Sequence, residues 1–163
     1  MFDIGDKLIY GNNGVCTVTS IGPLDAQSSS GNVIYYTLEP YYTTGSKFYT
    51  PVDNDKVVMR SVISKKDAQS LIDNIDDIEC LDIPDERHRE EIYKETVRKC
   101  DCVELIKLIK TIYFRKQSRQ AEGKKVTASD EKYFKIAENS LYGELGCVLD
   151  MTKDQVKDYI ISK

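Results

Sequence analysis

Residues 7–22, KLIYGNNGVCTVTSIG, decide the fold of the N-terminal part of the chain. Two runs rich in apolar and β-branched residues flank the turn Gly11-Asn12-Asn13-Gly14, a pattern typical of a β-hairpin. Similar short runs, broken at turn residues, follow and predict a small β-barrel. The predicted strands are Lys7–Tyr10, Gly14–Gly22, Val33–Glu39, Lys47–Pro51 and Val57–Arg60, with further turns at Ala26–Asn32 and Thr43–Ser46.

From Ser64 onward the pattern changes to that of α-helices. Four predicted helices start with a short oxygen-bearing side chain three residues before an acid or amide, which satisfies free backbone N–H groups at a helix start. These capping residues are Ser64, Asp101, Thr127 and Thr152. A fifth helix is predicted from about Asp85 to Lys99, behind Pro84.

Two of these helices carry apolar residues at helical spacing and should pack together. The first stripe contains Leu105, Leu108, Ile109, Ile112 and Tyr113, and the second contains Phe134, Ala137, Leu141, Leu145 and Val148.

The whole pattern predicts an α+β protein, all-β first and all-α afterwards, with a compact C-terminal helical domain. The expected division is a β-barrel in residues 1–66, a helix and acidic linker in 67–84, and the helical domain in 85–163. The acidic, weakly periodic stretch 73–85 is the predicted linker.

Composition excludes several classes of protein. Five scattered cysteines and one histidine suggest neither a disulfide framework nor a zinc site. No apolar run approaches the roughly 18 residues of a membrane span, and the N-terminal residues lack a signal-peptide pattern. We therefore expect a cytoplasmic protein without membrane contact.

Net charge is −4, which argues against a general nucleic-acid coat protein. The charge is unevenly distributed, because residues 67–101 carry −7 and residues 102–135 carry +5. One segment is therefore locally basic inside an acidic protein.

The residues that could carry catalysis are poorly arranged for it. His88 is the only histidine and lies among charged residues, while Cys100 and Cys102 are too closely spaced for the usual zinc pair. No calcium loop or phosphate-binding glycine loop is present. The sequence predicts a non-enzyme with no cofactor, no metal and no small-molecule substrate.

Three motifs follow one another along the chain. The first is Phe2-x-x-Gly5-Asp6-x-x-x-Tyr10-x-x-x-Gly14. The second is Pro51-Val52-Asp53-Asn54, followed by Met59-Arg60-Ser61-Val62-Ile63. The third is Thr127-x-x-Asp130-x-x-x-Phe134-x-x-Ala137-x-x-x-Leu141-x-x-Glu144-Leu145. In this order they resemble the CarD-like bacterial transcription regulators, whose N-terminal module also occurs in the transcription-repair coupling factor.

The resemblance implies a Tudor-like barrel that binds the lobe of the RNA polymerase β subunit. It further implies a helical domain that touches promoter DNA at the upstream edge of the melted region, where family members stabilise the open complex. By similarity, the polymerase-binding face includes Lys47, Phe48, Tyr49 and Thr50. The alternative for these four residues is the ordinary inside-and-outside alternation of a strand.

The sequence departs from the family at one functional position. Family members commonly place a tryptophan near the start of the first helix of the C-terminal domain, where it acts as a wedge in the minor groove. This chain has no tryptophan, and the wedge position falls on Glu86. DNA contact is therefore expected to be electrostatic, weak in isolation and assisted by the polymerase.

The candidate DNA-binding residues are Arg87, His88, Arg89, Lys107, Lys110, Lys124, Lys125, Lys132 and Lys135. An ordinary solvated helix face is the alternative for each lysine. At the level of the whole protein, the alternative function is a protein-protein adaptor on RNA polymerase with little or no DNA contact. Such an adaptor could also use its acidic segment to hold a different, basic partner.

Overall fold

The computed structural model describes residues 1–24 and 33–162, so the predicted turn at Ala26–Asn32 lies outside the described residues. The chain forms two compact units, Met1–Val62 and Ile63–Lys163. The boundary falls before residue 66 because Ile63 already packs against the helical core and Ser64 caps the first helix.

The N-terminal unit is one five-stranded antiparallel sheet with the strand order β4-β3-β2-β1-β5. Its strands are β1 (Lys7–Tyr10), β2 (Val15–Gly22), β3 (Tyr35–Pro40), β4 (Phe48–Pro51) and β5 (Met59–Ser61). A 3-10 turn at Gly11–Asn13 connects β1 to β2, as the hairpin pattern predicts. All five predicted strands are present, and the largest shifts are at the starts of β3 and β5.

The sheet curls around a small core of Leu8, Cys16, Val18, Tyr36 and Leu38. The rings of Tyr10 on β1 and Phe48 on β4 lie 5.8 Å apart between centroids. Two strands separate β1 from β4, so a flat sheet would hold them about 14 Å apart at the usual strand spacing. A register shift between Val18 and Ser20 adds the local bend expected of a bulge. This curvature fits the predicted Tudor-like unit of an α+β protein.

The first sequence motif ties the N-terminal residues to the sheet. Gly5 has φ +95°, and its N–H donates to the Val18 carbonyl at 2.8 Å. The Val18 N–H donates in turn to the Asp6 carbonyl at 2.9 Å. Phe2 packs edge-on against Tyr36, and its N–H donates to the Tyr36 hydroxyl. The motif is therefore explained by turn geometry and packing.

The second unit is helical. Its helices are α1 (Lys65–Asp73), α2 (Arg89–Lys99), α3 (Cys102–Ala121), α4 (Ala128–Leu149) and α5 (Lys153–Ile161), with 3-10 turns at Ile75–Asp77 and Glu86–His88. Each of the four predicted capping side chains accepts the backbone N–H three residues later. The helix predicted from Asp85 begins instead with the 3-10 turn, and α2 proper begins at Arg89.

The predicted packing of α3 against α4 is confirmed, with one exception in the stripe. Tyr113 is 49% exposed, whereas Ile106, two turns earlier on the same face, is buried. The face of α3 borders an apolar groove at the level of Tyr113, so no neighbouring helix covers the ring. The prediction of Tyr113 as a buried residue was wrong for this reason.

The acidic stretch 73–85 is part of the helical unit and does not behave as a separate linker. Its apolar side chains Ile75, Ile78, Leu81 and Ile83 pack against the helical core. The Leu81 N–H also donates to Thr111 Oγ1 at 2.8 Å. The stretch lacks a clear helical period because, after the 3-10 turn, it is mostly irregular chain, which is why its packing was not visible in the sequence.

Candidate functional site

The β4 edge is the first candidate surface, because β4 pairs with β3 alone in the described sheet. The side chains of Phe48 and Thr50 point inward, with Thr50 only 2% exposed. Tyr49 is 52% exposed, and Lys47 is also exposed, with its Nζ 3.8 Å from Glu39. The four predicted residues thus alternate along the strand, and Lys47 and Tyr49 are the two available to a partner.

An exposed pair of aromatic residues follows β3 and was missed in the sequence. The rings of Tyr41 and Tyr42 are 43% and 40% exposed and meet edge-on, with centroids 4.9 Å apart. Lys7 Nζ lies 5.3 Å from the centroid of the Tyr41 ring. Two consecutive tyrosines directly after a predicted strand were the available signal.

The wedge position, Glu86, is held in ion pairs at the start of α2. Arg89 Nε donates to Glu86 Oε2 at 2.8 Å, and Arg115 Nη1 donates to the same oxygen at 3.0 Å. The Arg89 hydrogen bond, supported by Arg115, lowers the pKa of Glu86 to about 2. The carboxylate is therefore ionised but locally neutralised by two guanidinium groups.

Beneath Glu86 lies a buried network that joins three helices. Arg115 Nε is 3.0 Å from Asp130 Oδ2, and the Asp130 side chain is only 1% exposed. The Tyr93 hydroxyl donates to Asp130 Oδ1 at 2.9 Å and accepts a hydrogen bond from Arg89 Nη1 at the same distance. Burial raises the pKa of Tyr93 above its ordinary value. Glu86 is thus the outer end of a polar network between α2, α3 and α4.

Two members of this network, Arg115 and Asp130, were missed as functional candidates. Asp130 was recognised as the acid of the Thr127 cap and as a position of the third motif, and its backbone N–H does donate to Thr127 Oγ1. Arg115 follows two aromatic residues on α3, and nothing local in the sequence indicates its partners.

The predicted DNA-binding residues at the start of α2 are engaged with neighbouring acids. Arg87 makes a bidentate contact with the Asp85 carboxylate, and His88 Nδ1 lies 3.5 Å from it. These contacts, led by the Arg87 side-chain hydrogen bond, lower the pKa of Asp85. Arg89 belongs to the Glu86 network.

The predicted lysines are spread over α3, α4 and the turn between them. Lys107, Lys124 and Lys135 pair with Glu104, Glu122 and Glu131 at 3.2, 3.1 and 3.6 Å, respectively. Lys110 Nζ donates to the carbonyls of Ile75 and Ile78.

Lys125 and Lys132 differ from the other predicted lysines. Both side chains are exposed, and among the described residues no acid pairs with either of them. Lys132 Nζ instead lies 5.2 Å from the centroid of the Tyr133 ring. These two lysines carry the least compensated positive charge of the predicted set.

Among the residues that the structure describes, no group of three or more His, Cys, Asp or Glu side chains is placed to hold a metal ion. Within the same ranges, every helix is too short or too polar to cross a membrane.

The N-terminal unit is a curled five-stranded sheet in which, among the described strands, β4 pairs with β3 alone. Residues 2–63 match the family model described as the CarD-like/TRCF RID domain. The N-terminal unit therefore belongs to the CarD-like family of RNA polymerase-interacting domains, as the first two sequence motifs predicted. This match supports an RNA polymerase-interacting transcription factor of a non-enzymatic regulator family. No curated protein matches the chain.

Proposed function

We propose that this protein is a transcription regulator that binds the RNA polymerase β subunit through the β4 edge. Its helical unit would then contact promoter DNA near the upstream edge of the bubble and modulate the stability of the open complex. The observation that carries the proposal is the accessible edge strand of a CarD-like domain, with Tyr49 exposed on it. This role would place the protein with the polymerase in the bacterial cytoplasm.

Strand addition is the binding mode that the β4 edge favours. An edge strand has unpaired backbone groups on one side, and a partner strand can satisfy them by main-chain hydrogen bonds. Pro51, at the end of β4, has no N–H, so the added ladder would be short. Tyr49 would then supply side-chain contact, since exposed tyrosines are frequent anchors of binding energy.

Contact with DNA would depend on the polymerase for proximity. Lys125 and Lys132 could contact phosphates directly. The lysines in surface ion pairs could exchange their acids for phosphate, because such pairs contribute about 0–1 kcal/mol. When the barrel holds the polymerase, a high effective concentration compensates for a modest intrinsic affinity.

Affinity for the host polymerase tests the proposal. Tyr49→Ala should weaken binding by about tenfold or more, as expected of an interface anchor. Arg98→Ala is the control, because Arg98 lies on the helical unit with an exposed side chain that pairs with Glu95. Equal affinity for wild type and Tyr49→Ala, or an equal loss in both variants, would contradict binding through β4.

A protein-protein adaptor with little DNA contact is the second candidate function. The Glu86 network favours it, because an ionised carboxylate occupies the wedge position and cannot stack on a base. The dependence of promoter binding on salt, measured with polymerase present, separates the two candidates. The quantity to compare is the slope of log promoter affinity against log salt concentration, measured for polymerase with and without the protein. Different slopes indicate added phosphate contacts, and identical slopes indicate an adaptor.

A further inference from the structure

The helical unit contains an apolar groove that the proposed function does not use. It opens between the Ile75–Asp77 turn and helices α3, α4 and α5, and its volume is about 230 Å³. Its deeper lining includes Ile106 and Leu141, which are 2% and 1% exposed. This volume is below the roughly 300–1,000 Å³ of pockets for drug-sized ligands, and it suits an anchoring side chain better.

The wall of the groove is fixed before any partner arrives. Lys110 Nζ donates to the carbonyls of Ile75 and Ile78, which holds this segment against α3. The groove is therefore largely preformed, which reduces the entropy lost on binding.

Two aromatic rings stand half-exposed at the groove. Tyr113 and Phe114 are 49% and 54% exposed, and their ring centroids are 5.6 Å apart in an edge-on arrangement. Aromatic side chains that combine exposure with a neighbouring pocket are characteristic of protein-binding surfaces.

The segment along one wall is negatively charged. Asp76 lines the groove, and Asp77, Glu79 and Asp82 follow it in the same segment, all exposed. No ion pair joins these four acids to a described lysine or arginine, in contrast to most of the predicted DNA-binding cations. Lys110 also lines the groove, so this wall carries four acids against one cation. That excess of negative charge beside an apolar groove attracts basic groups and repels phosphate.

We propose that this groove binds a basic segment of a partner protein. An apolar or aromatic side chain of that segment enters between Phe114 and Leu141, and flanking lysine or arginine residues pair with Asp76 and its acidic neighbours. Apolar burial would supply affinity, and the acids would select a basic sequence and speed association. This inference does not depend on polymerase binding through β4.

Selection of peptides from a random display library on the full-length protein tests the inference. Enriched peptides should combine a large apolar residue with neighbouring lysine or arginine. Their affinity should fall about tenfold or more for Phe114→Ala and for Asp76→Lys/Asp77→Lys. Asp53→Lys/Asp55→Lys makes the same change of charge at exposed acids of the N-terminal unit and should leave affinity nearly unchanged at physiological salt.

Thermal unfolding of each variant provides the folding control, and unchanged midpoints are expected because the substituted side chains are exposed. The proposal is overturned if no basic peptide is enriched, or if enriched peptides bind the groove variants as tightly as wild type. It is also overturned if single-stranded DNA competes for the groove more strongly than the peptides do.

Discussion

The β4 edge of the N-terminal unit and the start of α2 in the helical unit were assigned roles by the same family resemblance. At the β4 edge, Tyr49 is exposed and β4 has an open side. At the start of α2, Glu86, where the resemblance predicts the wedge position, is held by Arg89 and Arg115. A role implied by a family resemblance therefore has to be checked separately at each residue. Here the strand expected to bind a partner has an exposed aromatic side chain, while the position expected to stack on a base holds an acid in an ion-pair network.

Removing Arg115 should have the largest effect, because it breaks the network below Glu86. Arg115→Ala leaves the buried Asp130 carboxylate without its cation, which we expect to cost about 3–5 kcal/mol of unfolding free energy. Arg98→Ala is the control, since Arg98 forms an exposed ion pair with Glu95 and should change stability by about 0.5 kcal/mol or less. Urea denaturation measures both. Equal midpoints for the two variants would show that the network does not stabilise the helical unit.

A tryptophan introduced at position 86 tests whether this position can act as the wedge that the resemblance predicts. Glu86→Trp should lengthen the open-complex lifetime about tenfold relative to wild type, because a wedge that holds unstacked bases contributes on the order of 1 kcal/mol or more. Glu86→Ala removes the same ion pairs without adding a ring and serves as the matched control. If both variants change the lifetime equally, position 86 does not face the bubble in this protein.

The acid stability of wild type and Glu86→Gln should differ by a smaller amount. The folded-state pKa of Glu86 is about 2, below the roughly 4.3 of an unfolded chain. Its ion pairs therefore stabilise the protein above pH 4.3, and this contribution is lost as the pH falls towards 2. Because Glu86 is largely exposed, we expect less than about 1 kcal/mol.

Urea midpoints measured across this pH window give the comparison. Wild type should lose more stability on acidification than Glu86→Gln does. Parallel pH profiles would contradict a stabilising role for the Glu86 carboxylate.

Local signals in the sequence predicted the helices and strands well. A capping side chain and the backbone N–H that donates to it are three residues apart, so Ser64, Asp101, Thr127 and Thr152 could be identified without any tertiary information. Strand alternation likewise separated Phe48 and Thr50 from Tyr49.

Features that depend on distant partners could not be predicted. Arg115 and Glu86 are 29 residues apart in the chain, and their pairing follows from how α2 and α3 pack. The exposure of Tyr113 depends on the groove beside it. The carbonyls of Ile75 and Ile78 accept hydrogen bonds from Lys110, more than 30 residues further along the chain. By contrast, the acids that pair with the predicted DNA-binding lysines lie two to four residues away in the sequence, so this compensation was a local signal that was missed.

The lifetime of the open complex, measured with the host polymerase, tests whether the protein acts on the melted promoter while bound to polymerase. The variants are wild type, Tyr49→Ala, and the double variant Lys125→Glu/Lys132→Glu. We expect wild type to change the lifetime. Tyr49→Ala should lose this effect because it binds polymerase more weakly. The double variant should lose the effect while still binding polymerase. A lifetime that wild type leaves unchanged despite polymerase binding, or an effect that survives both variants, would contradict this expectation.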